Sequence, residues 1–434
     1  MEGADIYHSS KLEDFISTGK VDEIIIAAPS LSNARKAELI EMALAKNVKV
    51  SQLPPATQWI GGELSIRQIR DIKIEDLLGR ETITLDNSEI FNQVKNKVVL
   101  VTGAAGSIGS ELVRQLVSYS PSKIIMLDQA ETPLFELENE ISEINHSRVA
   151  CEAVIGDVSQ LDRMRRMMDY FHPQLIFHAA AYKHVPLMES NPSEAVLVNV
   201  RGTKNLADLA VEFDVEKFVL ISTDKAVNPT SVMGSTKRVA EIYVQSLNKD
   251  AKTKFITTRF GNVLGSNGSV IPTFKKQIEA GGPITVTHES MTRFFMTIPE
   301  AVNLVLQAGA MGKGGEIFAF DMGESVKIID LARNMIKLSG LEEGKDIEIK
   351  ITGLRPGEKL FEEVLSDKEN SLPTPHPKIL IAKVREYAFQ EISQEINELI
   401  QYFDQQNNEL IVSKLKSIIP EYISNNSEFQ KLDH

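Results

Sequence analysis

The sequence predicts an α/β fold: a doubly wound parallel sheet, a smaller lobe appended to it, and a partial α/β unit in front. Three observations predict it. Five short apolar runs, "KVVLVTG", "KIIMLD", "VACEAVIGD", "QLIFHAA" and "KFVLIST", are each separated from the next by a helix-length segment, and strands alternating with helices imply a parallel sheet covered on both faces. The first run passes through closely spaced glycines straight into a helix. The alternation then continues beyond Lys237 through "KFITTRFGNV".

Taken in order, "VDEIIIAAPS" (Val21–Ser30) reads as a buried strand, Leu31–Lys46 as a helix and "NVKVSQLP" as a second strand. One such unit, over residues 1–75, does not cover both faces of its own sheet. A covering partner is therefore expected, from an upstream part of a longer natural chain or from another subunit. A polar connector spans 76–94 and contains "DLLGRETITLDNSEI". The main domain spans 95–385, and within it residues 260–377 are richer in Gly and Pro, with long connections suited to a substrate lobe. The tail, 386–434, is polar and helical, with Ile392, Ile396, Leu399 and Ile400 placed to dock against the body.

A chain of 434 residues exceeds one typical domain. Its 42% hydrophobic and 25% charged content is ordinary for a soluble globular protein. The net charge of −13 argues against a general nucleic-acid binder, which must neutralise phosphates. The single cysteine, Cys151, excludes an intrachain disulfide and fits a reducing compartment; its side chain reads as a small buried apolar group. No apolar run approaches the ~18 residues of a membrane span, and "MEGADIYHSS" lacks the basic and apolar regions of a signal peptide. A cytoplasmic location is expected.

"VTGAAGSIGSEL" places Gly103, Gly106 and Gly109 between a strand and a helix, with Ser107 and Ile108 between the last two glycines. Glycines there permit a tight turn and close approach of backbone N–H groups to a pyrophosphate, whose charge the helix N-terminus favours. Asp128 ends the next strand about 20 residues on, where a carboxylate accepts from a ribose hydroxyl and repels a 2′-phosphate. That favours NAD over NADP. Asp157, in "IGDV" with Val158, is placed either to meet the adenine edge or to cap the following helix.

Thr223, Asp224 and Lys225 follow the strand "KFVLIS", at the carboxyl edge of the sheet where ligands of doubly wound folds bind. Met233 and Lys237 then lie one helical turn apart and share a face. "LLGRE", "VTGAAGSIGSEL", "HAAAYKHVPLME", "STDKAVNPTSVMG", "RFGNVLGSNGSVIPTF", "MTRFFMTIPEA" and "LRPGEKLFEE" occur in order from about Asp76 to Glu363. On these motifs the chain resembles the UDP-N-acetylglucosamine 4,6-dehydratases of the extended short-chain dehydrogenase/reductase family. Its pattern is that of the large branch, in which methionine replaces the tyrosine of the "YxxxK" pair. That tyrosine ordinarily takes a proton from the substrate hydroxyl as hydride leaves the same carbon. A thioether does not.

The resemblance implies a redox-neutral dehydration with a tightly bound NAD recycled in each turnover: hydride leaves C4 of the sugar, water is eliminated across C5 and C6, and hydride returns at C6. Lys225 is then the base for the C5 proton and Asp224 the acid for the departing hydroxyl. For that, the Lys225 pKa must fall, through burial or the nearby Lys237. Thr223 hydrogen-bonds the C4 oxygen, and Asp224 or a relayed water takes its proton. Ala179, Ala180 and Ala181 form a small-residue wall beside the cofactor, Lys237 serves it too, and Lys183 either reaches the sugar or is an ordinary loop lysine. The resemblance assigns Asn262, Arg293 and Arg355 to the diphosphate and ribose and Glu358 to a ribose hydroxyl, and makes Asn199 a structural support. His172, His178 and His184 have no acidic or cysteine partner at zinc-like spacing, and no metal site is expected. A C5-retaining dehydratase acting on UDP-N-acetylglucosamine or a similar UDP-sugar is the leading expectation. The alternatives are a C5-inverting dehydratase, a UDP-sugar 4-epimerase, and a non-catalytic nucleotide-binding regulator. A homo-oligomer is the expected state, and the branch carries membrane helices upstream of the segment where this chain starts.

Overall fold

Val98–Thr102 (β1), Lys123–Asp128 (β2), Ala150–Ile155 (β3), Leu175–His178 (β4), Lys217–Ile221 (β5) and Lys254–Arg259 (β6) are strands in the computed structural model. It describes residues 5–19, 21–28, 31–46, 48–53, 70–72, 74–78, 87–145, 149–365 and 371–433. Val99, Leu100 and Val101 are all buried, as are Ile124, Ile125 and Met126. Consecutive burial, without alternation, is what a strand shows when helices cover both faces of its sheet. Ile317–Phe320 (β7), Ser371–Pro373 (β8) and Ile379–Ala382 (β9) complete a sheet that, among the described residues, has nine strands in the order β8-β9-β7-β6-β5-β4-β1-β2-β3.

From β3 to β7 every pairing is parallel, and β9 then pairs antiparallel with both β7 and β8. The strand order reverses direction between β1 and β4, which lie in register with Thr102 opposite His178. A doubly wound sheet leaves its ligand crevice at such a reversal, beyond the carboxyl ends of the strands. The antiparallel edge has no counterpart in the strand–helix alternation of the sequence. β8 is three residues, Ser-Leu-Pro, and proline is tolerated at an edge because its missing N–H faces no partner.

Four helices matter for the site. Ser107–Val117 (α1) follows the glycine turn, and Val232–Leu247 (α2) follows the Thr223–Lys225 stretch and is buried along nearly its whole length. Phe389–Gln401 (α3) and Asn408–Ile418 (α4) form the tail, with Ile392, Ile396 and Leu399 buried and Ile400 partly so. All four belong to the larger of two compact units, Thr84–Asn267, Met291–Val326 and Gly353–His434.

The smaller unit comprises Met1–Ile83, Gly268–Ser290 and Lys327–Thr352. In it Glu23–Ile26 pairs parallel with Lys49–Gln52, joined by the helix Asn33–Leu44, whose Ile40 and Ala43 are fully buried. Lys36 of that helix forms an ion pair with Asp76 at 2.5 Å. Two stretches of the 260–377 segment belong to this unit, including the parallel pair Ile284–Val286 and Ile349–Ile351. Residues 79–86 of the polar connector, with part of its "LLGRE" motif, lie outside the described residues. Cys151 is only partly buried, contrary to the sequence expectation, because it sits on the edge strand β3; what burial it has still pushes the thiol up to about 11. Among the described residues no helix is long and apolar enough to cross a membrane.

Candidate active site

The glycine turn is built by backbone proximity. Gly103 has φ +63°, and a Cβ there would stand 2.6 Å from the Ala180 nitrogen, so only glycine lets the β1 turn press against the wall after β4. At Gly109 a Cβ would stand 2.1 Å from the Gly103 oxygen, which fixes how closely α1 approaches the turn. Gly103, Gly106, Asp128, Asp157, Val158 and Ala179–Ala181 line one cleft, joined by Tyr182, which sequence reasoning did not single out. Ile108 stands in the first turn of α1, whose N-cap is Gly106, and the Ser107 hydroxyl accepts from the Asn267 N–H at 3.2 Å.

Asp128 accepts from the Ala105 N–H at 3.0 Å and from the Ala130 N–H at 2.9 Å. It thereby braces the glycine turn, and a carboxylate with about four acceptor positions retains capacity for a hydroxyl. Asp157 accepts from the Ser159 N–H at 2.8 Å, closing a local turn, while its residue also lines the cleft. Asn199 sits in a π-helical segment, Val196–Gly202, and accepts from the Tyr182 N–H at 2.8 Å. Its amide nitrogen donates to the Tyr182 carbonyl and to Thr236 of α2, at 3.0 and 3.1 Å. One buried amide therefore ties the segment after β4 to α2. A tight cradle, a carboxylate at the second strand and a small-residue wall fit a dinucleotide.

Beyond β5, Thr223 caps a single 3-10 turn, Asp224–Ala226, by accepting from the Lys225 N–H at 3.3 Å. Thr223 also donates to Asp224 Oδ1 at 2.9 Å, and the Lys225 ammonium donates to the same oxygen at 2.9 Å. Asp224 is fully buried, and its Oδ2 has no hydrogen-bond partner. Lys225 donates as well to Asn262 Oδ1, at 3.1 Å. Glu362, from "LFEE", closes the cluster with Oε1 3.7 Å from the Lys225 nitrogen and 3.8 Å from Arg293 Nε. The only sequence signal for it is a second carboxylate beside Glu363 in a matched motif.

The protonation of Lys225 differs from the sequence expectation. Burial pulls its pKa down, but the neighbouring Asp224 and Glu362 carboxylates outweigh burial and hold it above the usual lysine value. Lys237 is itself buried, donates to the Ile221 carbonyl at 2.7 Å, and is pushed down by burial to about 8. Burial, reinforced by Lys225, also lowers Lys183. Met233 is buried in the apolar core.

Behind the Asp224–Ala226 turn, Glu241 of α2 is gripped by the fully buried Arg259, with contacts of 2.8 and 2.6 Å, and accepts from Ser222 at 2.7 Å and Arg238 at 3.1 Å. His178 lies between the hydroxyls of Thr102 at 2.7 Å and Thr203 at 3.0 Å, and burial, reinforced by Lys237, pushes its pKa to about 3. His172 caps the end of a helix and His184 begins one.

The remaining resemblance-assigned residues are held by protein groups. Arg293 donates to the carbonyls of Thr292, Lys359 and Leu360 at 2.7 to 3.1 Å and so pins the 359–360 backbone. Arg355, which is exposed, pairs with the buried Glu358 at 2.6 Å on one loop. That loop is itself held by the tail: Asn425 donates through its side chain to the Glu358 carbonyl and through its backbone to Thr230, and accepts from the Gly357 N–H.

The switch-point cleft under a glycine turn and the acid–amine pair at the head of the neighbouring strand define an extended short-chain dehydrogenase/reductase of Rossmann type. Comparison with known proteins narrows the class. Residues 99–384 match the polysaccharide biosynthesis protein family, and the chain belongs to it. The capsular polysaccharide biosynthesis protein CapD of Staphylococcus aureus is 48% identical over 91% of this chain and 66% of its own length. The chain thus spans just under two thirds of that relative. The UDP-N-acetylglucosamine 4,6-dehydratase (inverting) of Campylobacter jejuni is 36% identical over 65% of this chain and 80% of that protein. The solved structure of Pen from Bacillus thuringiensis matches at 33% identity with a TM-score of 0.61, over 70% of this chain and 98% of that one.

Proposed function

We propose that this chain is an NAD-dependent UDP-N-acetylglucosamine 4,6-dehydratase that retains configuration at C5. It forms a 4-keto-6-deoxy sugar nucleotide for polysaccharide or glycan assembly. In this reading residues 95–385 bind cofactor and sugar nucleotide. The observation that carries it is the Asp224–Lys225 pair, a buried acid and a part-buried amine joined at 2.9 Å beside the switch-point crevice.

Bound NAD would supply the acceptor for hydride from C4 and its donor to C6. Asp128 and the Gly103–Gly109 turn would hold its ribose and pyrophosphate. Asp224 takes the C4 hydroxyl proton, which is the role left open by Met233, and Thr223 links it to the substrate oxygen. The resulting ketone acidifies C5, Lys225 removes the C5 proton, and Asp224 passes its own to the departing C6 hydroxyl. Lys225 finally returns its proton to C5, so no net proton is consumed. The protein should be incubated with UDP-N-acetylglucosamine and the products followed by NMR. A 4-keto, 6-deoxy product with unchanged C5 stereochemistry supports the reading, a C5-inverted product assigns it to the inverting branch, and a 4-epimer retaining its C6 hydroxyl refutes it.

A further inference from the structure

We infer that Glu362 is the positioning carboxylate that takes a proton from the Lys225 ammonium and so makes the lysine a base, an inference that rests on the dehydratase reading. Lys225 has three partners for its ammonium: Asp224 Oδ1 at 2.9 Å, Asn262 Oδ1 at 3.1 Å and Glu362 Oε1 at 3.7 Å. An amide oxygen accepts a hydrogen bond but is not a base at neutral pH. Asp224 is committed to the hydroxyl protons of the substrate. Glu362 alone remains, and it is almost wholly buried, with Oε2 lacking any hydrogen-bond partner.

The transfer breaks one N–H bond of Lys225, leaves the electron pair on nitrogen, and forms an O–H bond on Glu362. An ammonium and a carboxylate become an amine and an acid, so the charge of the buried cluster is unchanged and no co-reactant is required. The groups facing Glu362 are Lys225 and Asp224 from the turn after β5, Arg293 from the strand Thr292–Arg293, and Lys359 from its own segment. Burial and the Asp224 charge favour the protonated acid, against the attraction of Lys225, Arg293 and Lys359. Burial thus raises the proton affinity of the Glu362 carboxyl, which lowers the cost of a transfer from the neighbouring ammonium.

The test uses the full chain with NAD and UDP-N-acetylglucosamine, comparing wild type, Glu362→Gln and Glu362→Asp, with melting temperature as the folding control. In E362Q, KM is expected to stay within about twofold and kcat to fall about a hundredfold, with loss of solvent deuterium at C5 of the product. Its residual kcat should rise about tenfold per pH unit, since the lysine must then lose its proton to solvent, and E362D should recover about tenfold of the loss. Infrared difference spectra read the transfer directly: of the protonated-carboxyl bands that grow when substrate is added to wild type, the one due to Glu362 should be missing from E362Q, leaving that of Asp224. The inference is overturned if that band is absent from wild type, if kcat of E362Q stays within about threefold of wild type, or if both variants lose melting temperature and activity together. A wild type that makes no 4-keto sugar but shows the band refutes the dehydratase reading and leaves the proton transfer standing.

Discussion

Asp224 and Lys225 are adjacent in the chain and also joined side chain to side chain, at 2.9 Å. In an extended strand, neighbours point to opposite faces. The Thr223-capped 3-10 turn that follows β5 bends the backbone so that both side chains serve one site. Asp224→Asn should stop both hydroxyl-proton transfers, and Lys225→Ala should stop C5 deprotonation. Each is expected to lower kcat by about two to four orders of magnitude with the melting temperature nearly unchanged. Loss of solvent deuterium at C5 in K225A, alongside retained first-turnover oxidation at C4, distinguishes the two roles.

Gly103 tests the cradle. An alanine there meets the Ala180 backbone at 2.6 Å and a left-handed backbone, so the turn must open. Gly103→Ala should cost about 1–3 kcal/mol of stability and weaken nucleotide binding measured by calorimetry. Unaltered binding would place the pyrophosphate elsewhere.

Glu241 supports the floor of the site and sets an acid limit. The Arg259 and Arg238 charges outweigh burial and depress its carboxyl from 4.5 to about 2. A group whose folded pKa is depressed stabilises above its unfolded value, and that stability disappears as pH falls from about 4.5 through about 2. Glu241→Gln leaves buried guanidinium groups uncompensated and should cost about 3–5 kcal/mol at neutral pH. In urea melts the gap between wild type and E241Q should close as pH drops through that window.

The tail offers a test of substrate binding remote from the chemistry. Asn425 holds the Arg355–Glu358 loop through its side-chain amide, which donates to the Glu358 carbonyl at 2.5 Å, while its backbone carbonyl, which accepts from the Gly357 N–H at 2.7 Å, is kept in an alanine variant. Asn425→Ala should raise KM by about three- to tenfold while kcat changes by less than about twofold, the pattern of lost uniform binding. Equal falls in kcat and kcat/KM would instead tie the loop to the transition state.

Much of this was legible from the sequence because it is local. Apolar runs separated by helix lengths give the parallel order, and glycines between a strand and a helix mark the switch-point turn. The adjacent Asp224 and Lys225 fall at a strand end. The antiparallel β8–β9 edge was not legible, because a short strand containing Pro373 carries little pattern. Nor was the pairing of Arg355 with Glu358, since spacing alone does not say whether a charge faces a ligand or a neighbour.

By itself the sequence determined the α/β class, the dinucleotide turn and the residue types at the head of β5, each written within a few consecutive positions. Only the tertiary structure decided how those residues are charged and held. Glu362 and Arg293 reach Lys225 from distant segments, and Asn425 reaches the 354–358 loop from the tail. The state of a buried ammonium depends on desolvation and on every charge within a few ångströms, and folding alone determines which charges those are.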